Sequence, residues 1–320
     1  MLKLVLPPGL ARLISLSLIV LACSPFTAGA MDDVEQARSL LLKMSAANRE
    51  LDYQGVFTYE HAGVLKSIRI THLHKDGLEY ERLVYLNGPR MEVVRAAMAP
   101  ECRRWGDKFL SGLPMPSEYV SHLEASYELF LRGEDRIADR EVRMIHVVPK
   151  DDMRYGYILA VDKETGLLLQ SLLVGVNRRV LERFQFIDVS YGLDDLVAAD
   201  LLAAESSPVV GDAPCVPAAE TAAAGWRAEW LPPGFSLTEG RVDEQGDVAL
   251  VYTDGLSFVS VFVDGSGDAR FQDIQAQRGA TVAQIARVTH NGREYTICVV
   301  GEIPPETAAK IASFVTPLTP

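Results

Sequence analysis

Cysteine is scarce in this chain. Four occur in 320 residues, at positions 23, 102, 215 and 298, and no two are spaced as Cys-x-x-Cys. That argues against a zinc ribbon and against a thioredoxin-like redox centre. Positive charge is also in short supply: 31 Lys and Arg stand against 43 Asp and Glu, a formal net charge of −12. Phosphate backbones are bound by basic surfaces, so nucleic acid is excluded as a partner, and so is bulk adsorption to anionic lipid. Gly-x-Ser-x-Gly, His-Glu-x-x-His and Walker-type phosphate loops are all missing. Carboxylates abound, but none is set apart by spacing. No catalytic residue, metal site or cofactor is therefore predicted. Asp264-Gly-Ser-Gly-Asp268 opens like a calcium loop, but Ala269 replaces the required Gly and Gln275 the closing Glu, so it reads as a polar hairpin turn. His72 and His74 share a strand face as two metal ligands can, yet Asp76 alone could join them. They read as an outward-facing polar pair.

Long apolar runs are missing too. The longest, residues 13–22, falls well short of the roughly 20 residues that a membrane-spanning helix needs. It has the length of a signal-peptide core, follows Lys3 and Arg12, and precedes Ala28-Gly29-Ala30, a small-x-small cleavage pattern. Residues 1–30 therefore read as a signal peptide, with Met31 the mature start. Val20-Leu21-Ala22-Cys23 offers a rival cleavage, with Cys23 lipidated. Both readings place the protein outside the cytoplasm, in the periplasm. Cleavage after Ala30 removes two basic residues and no acid, taking the net charge from −12 to −14. Three cysteines remain. Cys215 and Cys298 both fall in the C-terminal third and are the pair to test for a disulfide, three reduced thiols being the alternative.

Residues 32–50 predict a helix: Val34, Ala37, Leu41, Met44 and Asn48 follow helical spacing, and Asp32 and Asp33 suit its positive end. The period then changes to two. Strands are predicted over 53–59, 64–73, 78–86, 90–95, 142–149, 155–161, 166–174 and 180–189, with a helical interruption near 118–131. Short turns between consecutive strands imply one antiparallel sheet with a few helices, an α+β layout able to curl into a half-barrel. Residues 203–225, rich in Ala and Pro, read as a linker. Beyond it, strands are predicted over 249–253, 257–263, 283–290 and 293–300. Pro304 and Pro305 then open a last helix through about Phe314. The chain thus divides into a domain at 31–202 and a smaller one at 226–320. Their net charges are −6 for 31–202 and −8 for 203–320, so basic residues concentrate in the first part.

Three groups of residues have the chemistry of binding. Tyr53, Phe57, Tyr59, Tyr80, Val84 and Leu86 give the early strands an apolar face, which either lines a lipid-sized concavity or closes into an ordinary core. Arg90, Arg95, Arg103 and Arg104, with Arg178 and Arg179 in a turn, could meet lipid phosphates or lie solvated on the surface. In the second domain Trp226, Trp230, Phe235, Tyr252, Phe258 and Phe262 supply a small core and a candidate partner interface.

Several segments resemble one known family. They are Leu86-Asn-Gly-Pro-Arg-Met-Glu-Val-Val94, Arg136-Ile-Ala-Asp-Arg140, Val147-Val-Pro-Lys-Asp-Asp-Met-Arg-Tyr-Gly-Tyr157, Trp230-Leu-Pro-Pro-Gly-Phe235, Tyr252-Thr-Asp-Gly-Leu256 and Gly301-Glu-Ile-Pro-Pro-Glu-Thr-Ala-Ala-Lys-Ile311. In order and coverage they are similar to the RseB/MucB regulators of the sigma-E (AlgU) envelope stress response. The resemblance implies a first domain like the lipoprotein carriers LolA and LolB, an unclosed antiparallel barrel with helices at its mouth, and a smaller α+β second domain. It implies a non-enzymatic role, binding the periplasmic segment of an RseA/MucA-like anti-sigma factor and shielding it from site-1 proteolysis. Lipopolysaccharide or lipoprotein acyl chains would release it. On this reading Tyr53, Phe57, Tyr59, Tyr80, Arg90 and Arg95 are the ligand-binding candidates, and Trp230, Phe235, Tyr252 and Phe258 the partner-binding ones. A homo-oligomer is compatible with it, and a LolA-type lipoprotein carrier is the alternative. Intact mass of the exported protein should show Met31 as the first residue; a diacylated Cys23 would support the rival cleavage.

Overall fold

A computed structural model describes residues 27–98, 120, 123–204, 225–265 and 274–318. Helix α1 (Thr27–Glu50) begins ahead of the predicted start, so Asp32 and Asp33 are not in its first turn. Its buried stripe is the predicted one: Ala37, Leu41 and Met44 are spaced by four and three and lose all contact with water.

Nine strands follow: β1 (Tyr53–His61), β2 (Val64–Lys75), β3 (Leu78–Tyr85), β4 (Glu92–Met98), β5 (Tyr127–Ile137), β6 (Arg140–Pro149), β7 (Gly156–Asp162), β8 (Leu168–Val174) and β9 (Val180–Tyr191). They form one antiparallel sheet in the order β4-β3-β2-β1-β9-β8-β7-β6-β5. Sequential hairpins build each half, and β1 and β9 join the halves over nine residue pairs. Among the described residues the sheet does not close, because β4 and β5 remain its edges. This is the unclosed antiparallel architecture that the resemblance implies. Its concave side carries a single apolar cluster in which Phe57, Ile68, Ile70, Leu83, Phe184 and Phe186 meet α1.

The predicted helix at 118–131 is cut short. Among the described residues helix α2 covers Leu123–Ser126, and residues 118, 119, 121 and 122 lie outside them. From Tyr127 the side chains alternate between buried Tyr127 and Leu129 and exposed Glu128, and the backbone pairs with β6. A period-two face with a ready partner strand prevails over helix propensity. Helix α3 (Asp195–Ala203), not foreseen, buries Leu201.

The second sheet has six strands: β11 (Ser236–Val242), β12 (Val248–Thr253), β13 (Phe258–Asp264), β14 (Ile274–Arg278), β15 (Thr281–His290) and β16 (Arg293–Gly301). Its order is β11-β12-β13-β16-β15-β14, antiparallel throughout. Helix α4 (Pro305–Ser313) carries Pro at its start, as predicted, and buries Ala308, Ile311 and Ala312 on β15 and β16. A short ribbon of β10 (Trp226–Ala228) and β17 (Val315–Pro317) completes this half, which has its own apolar cluster. The edge strands β11 and β14 were not predicted. Every residue of β14 is exposed, so it has no alternation to read.

Gly55 sits where β1 crosses β9. A Cβ there would meet the Asp188 carbonyl oxygen and would lie 2.9 Å from Phe186 Cε1. Gly55→Ala should therefore cost about 1–3 kcal/mol, the usual penalty of overpacking. Urea unfolding measures it, and an unchanged midpoint would show that the β1–β9 junction yields freely.

Candidate functional site

The ligand-binding candidates divide by face and position. Cross-strand pairing puts Tyr53 opposite His72 and His72 opposite Glu81, so these three point into the concavity with Phe57 and Tyr59. Tyr80 pairs with Leu73 instead, which places it on the convex face, away from the others. Phe57 lines no vacancy. It is fully buried and its ring lies 4.8 Å from Phe184 and 5.8 Å from Phe186. Arg90 lies exposed between β3 and β4, whereas Arg95 is buried and donates to Glu81 at 2.5 Å. The two arginines are thus not one patch, and Arg103 and Arg104 lie outside the described residues.

The reading of His72 and His74 as an outward pair is corrected. His72 is buried and stacks on Tyr53 at 5.1 Å. Its Nδ1 donates to the Leu51 carbonyl at 2.8 Å, and its Nε2 lies 3.8 Å from Glu79. The strand turns this face toward the core, where an imidazole N–H must be satisfied from within. Among the described residues no three His, Cys, Asp or Glu side chains gather as metal ligands would.

The richest polar geometry lies where the second sheet meets one end of the first. Arg154, just before β7, has no exposed side-chain surface, and neither does its partner Asp254 in the β12–β13 turn. Their Nη1–Oδ2 distance is 2.6 Å. Arg154 also donates to Asp151 at 3.1 and 3.0 Å and to the Pro233 carbonyl at 2.6 Å. Its guanidinium packs against the rings of Tyr127 and Phe235 at 5.5 and 5.4 Å. Asp254 divides its labour. Oδ2 takes Arg154 and the Tyr127 hydroxyl, while Oδ1 accepts the N–H groups of Leu256 and Ser257 at 3.0 and 2.8 Å. The charge that joins the two halves therefore also folds the turn that presents Leu256.

Two further turns of the second half join this seam. Glu182 at the start of β9 accepts from Tyr59 at 2.7 Å, from His61 at 2.8 Å and from the Ala280 N–H at 3.3 Å. Gly279 beside it has φ +61°, and a Cβ there would lie 2.7 Å from the His61 ring, so both conformation and space call for glycine. Tyr155 donates to the Ile303 carbonyl at 3.1 Å. Burial pushes the Tyr155 hydroxyl up to about 12, helped by Glu306, Glu302 and Glu182. Burial and then Asp254 raise Tyr127 further, and burial and then Glu182 raise Tyr59. All three stay neutral donors at any physiological pH.

The partner-binding candidates are spread over different surroundings. Tyr252 belongs to the second core, its hydroxyl accepting the Ala228 N–H at 2.9 Å. Phe258 is buried, and Phe235 lies under Arg154 in the seam. Trp230 is half-buried beneath Lys310, whose Nζ is 3.9 Å from the ring. Phe262, by contrast, is 44% exposed beside a groove of about 680 Å³ that also touches Ala249, Ile285 and Cys298. Cys298 is a free, half-buried thiol that burial pushes up. Cys215 lies outside the described residues. The residues that sequence reading missed are Arg154, Asp254, Glu182, Leu256 and Ala280. Arg154, Asp254 and Leu256 stand inside segments that carry the family resemblance, but pairing across 100 residues leaves no local signal.

Removing one partner of a buried ion pair strands the other charge, at a cost of about 3–5 kcal/mol. Asp254→Leu and Arg154→Met should each destabilise the chain by about that amount in urea unfolding. The double variant should recover the share owed to the stranded charge but not that of the Tyr127, Leu256 and Ser257 donors, so the two losses should be less than additive. Additive losses would show that the two groups act independently.

Comparison with known proteins bears on the whole chain. The family model of the MucB/RseB N-terminal domain matches residues 36–205, and that of the MucB/RseB C-terminal domain matches 220–316. The chain is 35% identical over 291 residues to the sigma factor AlgU regulatory protein MucB of Pseudomonas aeruginosa, covering 88% of this chain and 91% of that one. It is 30% identical over 289 residues to the sigma-E factor regulatory protein RseB of Escherichia coli K12, covering 86% and 88%. Among solved structures, MucB in complex with MucA(peri) is 34% identical, covers 89% of this chain with all of its own length, and superposes with a TM-score of 0.70. The Pseudomonas aeruginosa MucA/MucB complex is 33% identical with the same coverage and a TM-score of 0.71. Kinship over both halves, at this identity, makes the chain a member of the MucB/RseB family of sigma-factor regulatory proteins and not an enzyme.

Proposed function

We propose that this chain is a periplasmic regulator that binds the periplasmic segment of an RseA/MucA-like anti-sigma factor. Bound there, it shields that segment from the site-1 protease and is released when lipopolysaccharide or lipoprotein acyl chains bind. One observation carries the reading. A relative that covers 89% of this chain has been solved with MucA(peri) bound. An exported location agrees with the N-terminal segment, and no described helix is long and apolar enough to cross a membrane.

Residues 31–202 are the lipid-sensing part in this proposal and 226–320 the partner-binding part. The aliphatic and aromatic concave face suits acyl chains rather than a polar ligand. The acidic chain leaves no bulk electrostatic route to lipid, so recognition rests on that face. Release is then linkage. Each ligand weakens the other by the same free energy, and a coupling of about 1–3 kcal/mol shifts affinity roughly 5–150-fold. A simple LolA-type carrier would need no second sheet against its barrel.

Calorimetry of the mature protein with the partner's periplasmic segment should give a one-to-one complex. Adding the site-1 protease should then yield slowed cleavage, restored by titrated lipopolysaccharide. No complex, or a complex whose partner is cut at the free rate, would sink the proposal.

A further inference from the structure

Two residues of the second half are spent on the core of the first. Leu256 is 1% exposed and Ala280 fully buried, and both belong to the apolar cluster built on Phe57, Phe184 and Phe186. Neither belongs to the second sheet's own cluster. They arrive on two separate turns, β12–β13 and β14–β15, while Ile303 brings a third element to Tyr155. All of these contacts fall at one end of the nine-stranded sheet. The C-terminal end of β1 supplies Tyr59 and His61, the start of β9 supplies Glu182, the start of β5 Tyr127, and the start of β7 Tyr157 with Tyr155 just before it. The Tyr157 hydroxyl reaches the Leu256 carbonyl at 3.5 Å.

An unclosed sheet exposes its apolar concavity unless something covers it. Helix α1 covers part, through Ala37, Leu41 and Met44, and the two turns cover the end. Around the three phenylalanines the interior is closely packed among the described residues. The Phe57, Phe184 and Phe186 rings stand 4.8 to 5.8 Å apart, and Ile68, Ile70 and Leu83 are at most 1% exposed around them. A guest chain must therefore displace some resident side chain. The strand residues are held by ladders on both sides. Leu256 and Ala280 instead reach this core from the other sheet, on turns joined to the first half by polar contacts that include Arg154–Asp254, Tyr127–Asp254, Tyr157–Leu256 and Glu182–Ala280.

We propose that the Leu256 and Ala280 turns are a stopper occupying the acyl-chain site of the first half, so that a bound acyl chain and the docked second half exclude one another. The inference rests on the lipid reading given above and states how that site is regulated. The Arg154–Asp254 pair is the latch, since the same carboxylate both grips the first half and shapes the Leu256 turn. The lining is aliphatic and aromatic, which suits an acyl chain. The Glu182 carboxylate at the rim disfavours a free fatty acid there and favours chains joined by ester, amide or ether links. Mutual exclusion gives the linkage a physical form, because an acyl chain that enters the first half must undock the part assigned to the partner.

Hydrogen exchange on the mature protein tests this directly, with n-dodecyl maltoside below its micelle-forming concentration as the probe. Binding should remove protection at the amides of Leu256, Ser257 and Ala280 in step with saturation, while the β1–β9 ladder stays protected. Two variants provide a second reading. Leu256→Ser takes the aliphatic group out of the interior, and Asp254→Asn weakens the latch without touching the interior. Each should bind the probe at least about 5-fold more tightly, the lower end of usual coupling. Binding by a variant where the wild type takes none would support the stopper equally. Binding by the wild type with the seam amides unchanged overturns the stopper and leaves the lipid reading standing. No binding by any of the three forms overturns both.

Discussion

A guanidinium removed from water must find all its partners inside the protein, and Arg154 finds them on both sheets. Its side chain is fully buried between Asp151 on its own loop and Asp254 on the other half, with the Pro233 carbonyl as a third acceptor. Burial of such a charge is costly unless geometry is good and every donor is met. The relative placement of the two halves is thus tied to a handful of atoms. Asp254 cannot leave without taking from Arg154 one of its two carboxylate partners, and it cannot shift without unfolding the turn that carries Leu256. Packing at the end of the half-barrel depends on that turn, so the filled state of the first core depends in part on a residue of the second half.

The two ends of the nine-stranded sheet are built differently. At the seam, buried tyrosines held neutral by desolvation donate to carboxylates and carbonyls that cross between the halves. At the other end, Asp162 gathers Arg140, the Tyr191 hydroxyl and the N–H groups of Glu164 and Thr165, all from neighbouring parts of the same sheet. Burial alone would raise the Asp162 carboxyl, but these hydrogen bonds together outweigh it and hold it low. One end is therefore closed by local contacts and the other by contacts made between the two sheets. Contacts that join separate parts of a chain can be broken as a unit, which is what the proposed exclusion of acyl chain and second half requires.

Much of the ladder was readable in advance because alternation is a local property. Tyr53-Gln-Gly-Val-Phe-Thr-Tyr59 shows its period of two without any knowledge of its neighbours, and the structure buries Tyr53 and Phe57 as that period demands. The stripe of Ala37, Leu41 and Met44 was equally plain. Failures came where the local pattern was silent or pointed elsewhere. Strand β14 is exposed along its whole length, and β11 holds Glu239, Gly240 and Arg241. Both exist because a neighbouring edge offers hydrogen bonds, which no local residue reveals. Tyr80 was grouped with Tyr53 because both are aromatic. Register alone, through Tyr53 opposite His72 and Tyr80 opposite Leu73, sends them to opposite faces.

The amino-acid sequence by itself determined the acidic balance, the α+β class, the two-part layout and, through ordered segments along most of its length, the family. Those features follow from composition, from spacing within a few residues and from the order of short motifs. Only the tertiary structure decided that Arg154 meets Asp254, that Glu182 meets Ala280 and that Leu256 enters the core of the first sheet. Such partners lie about 100 residues apart in the chain. Nothing near either one records the other, because a buried charge acquires its partner from the way sheets stack and not from its neighbours in sequence.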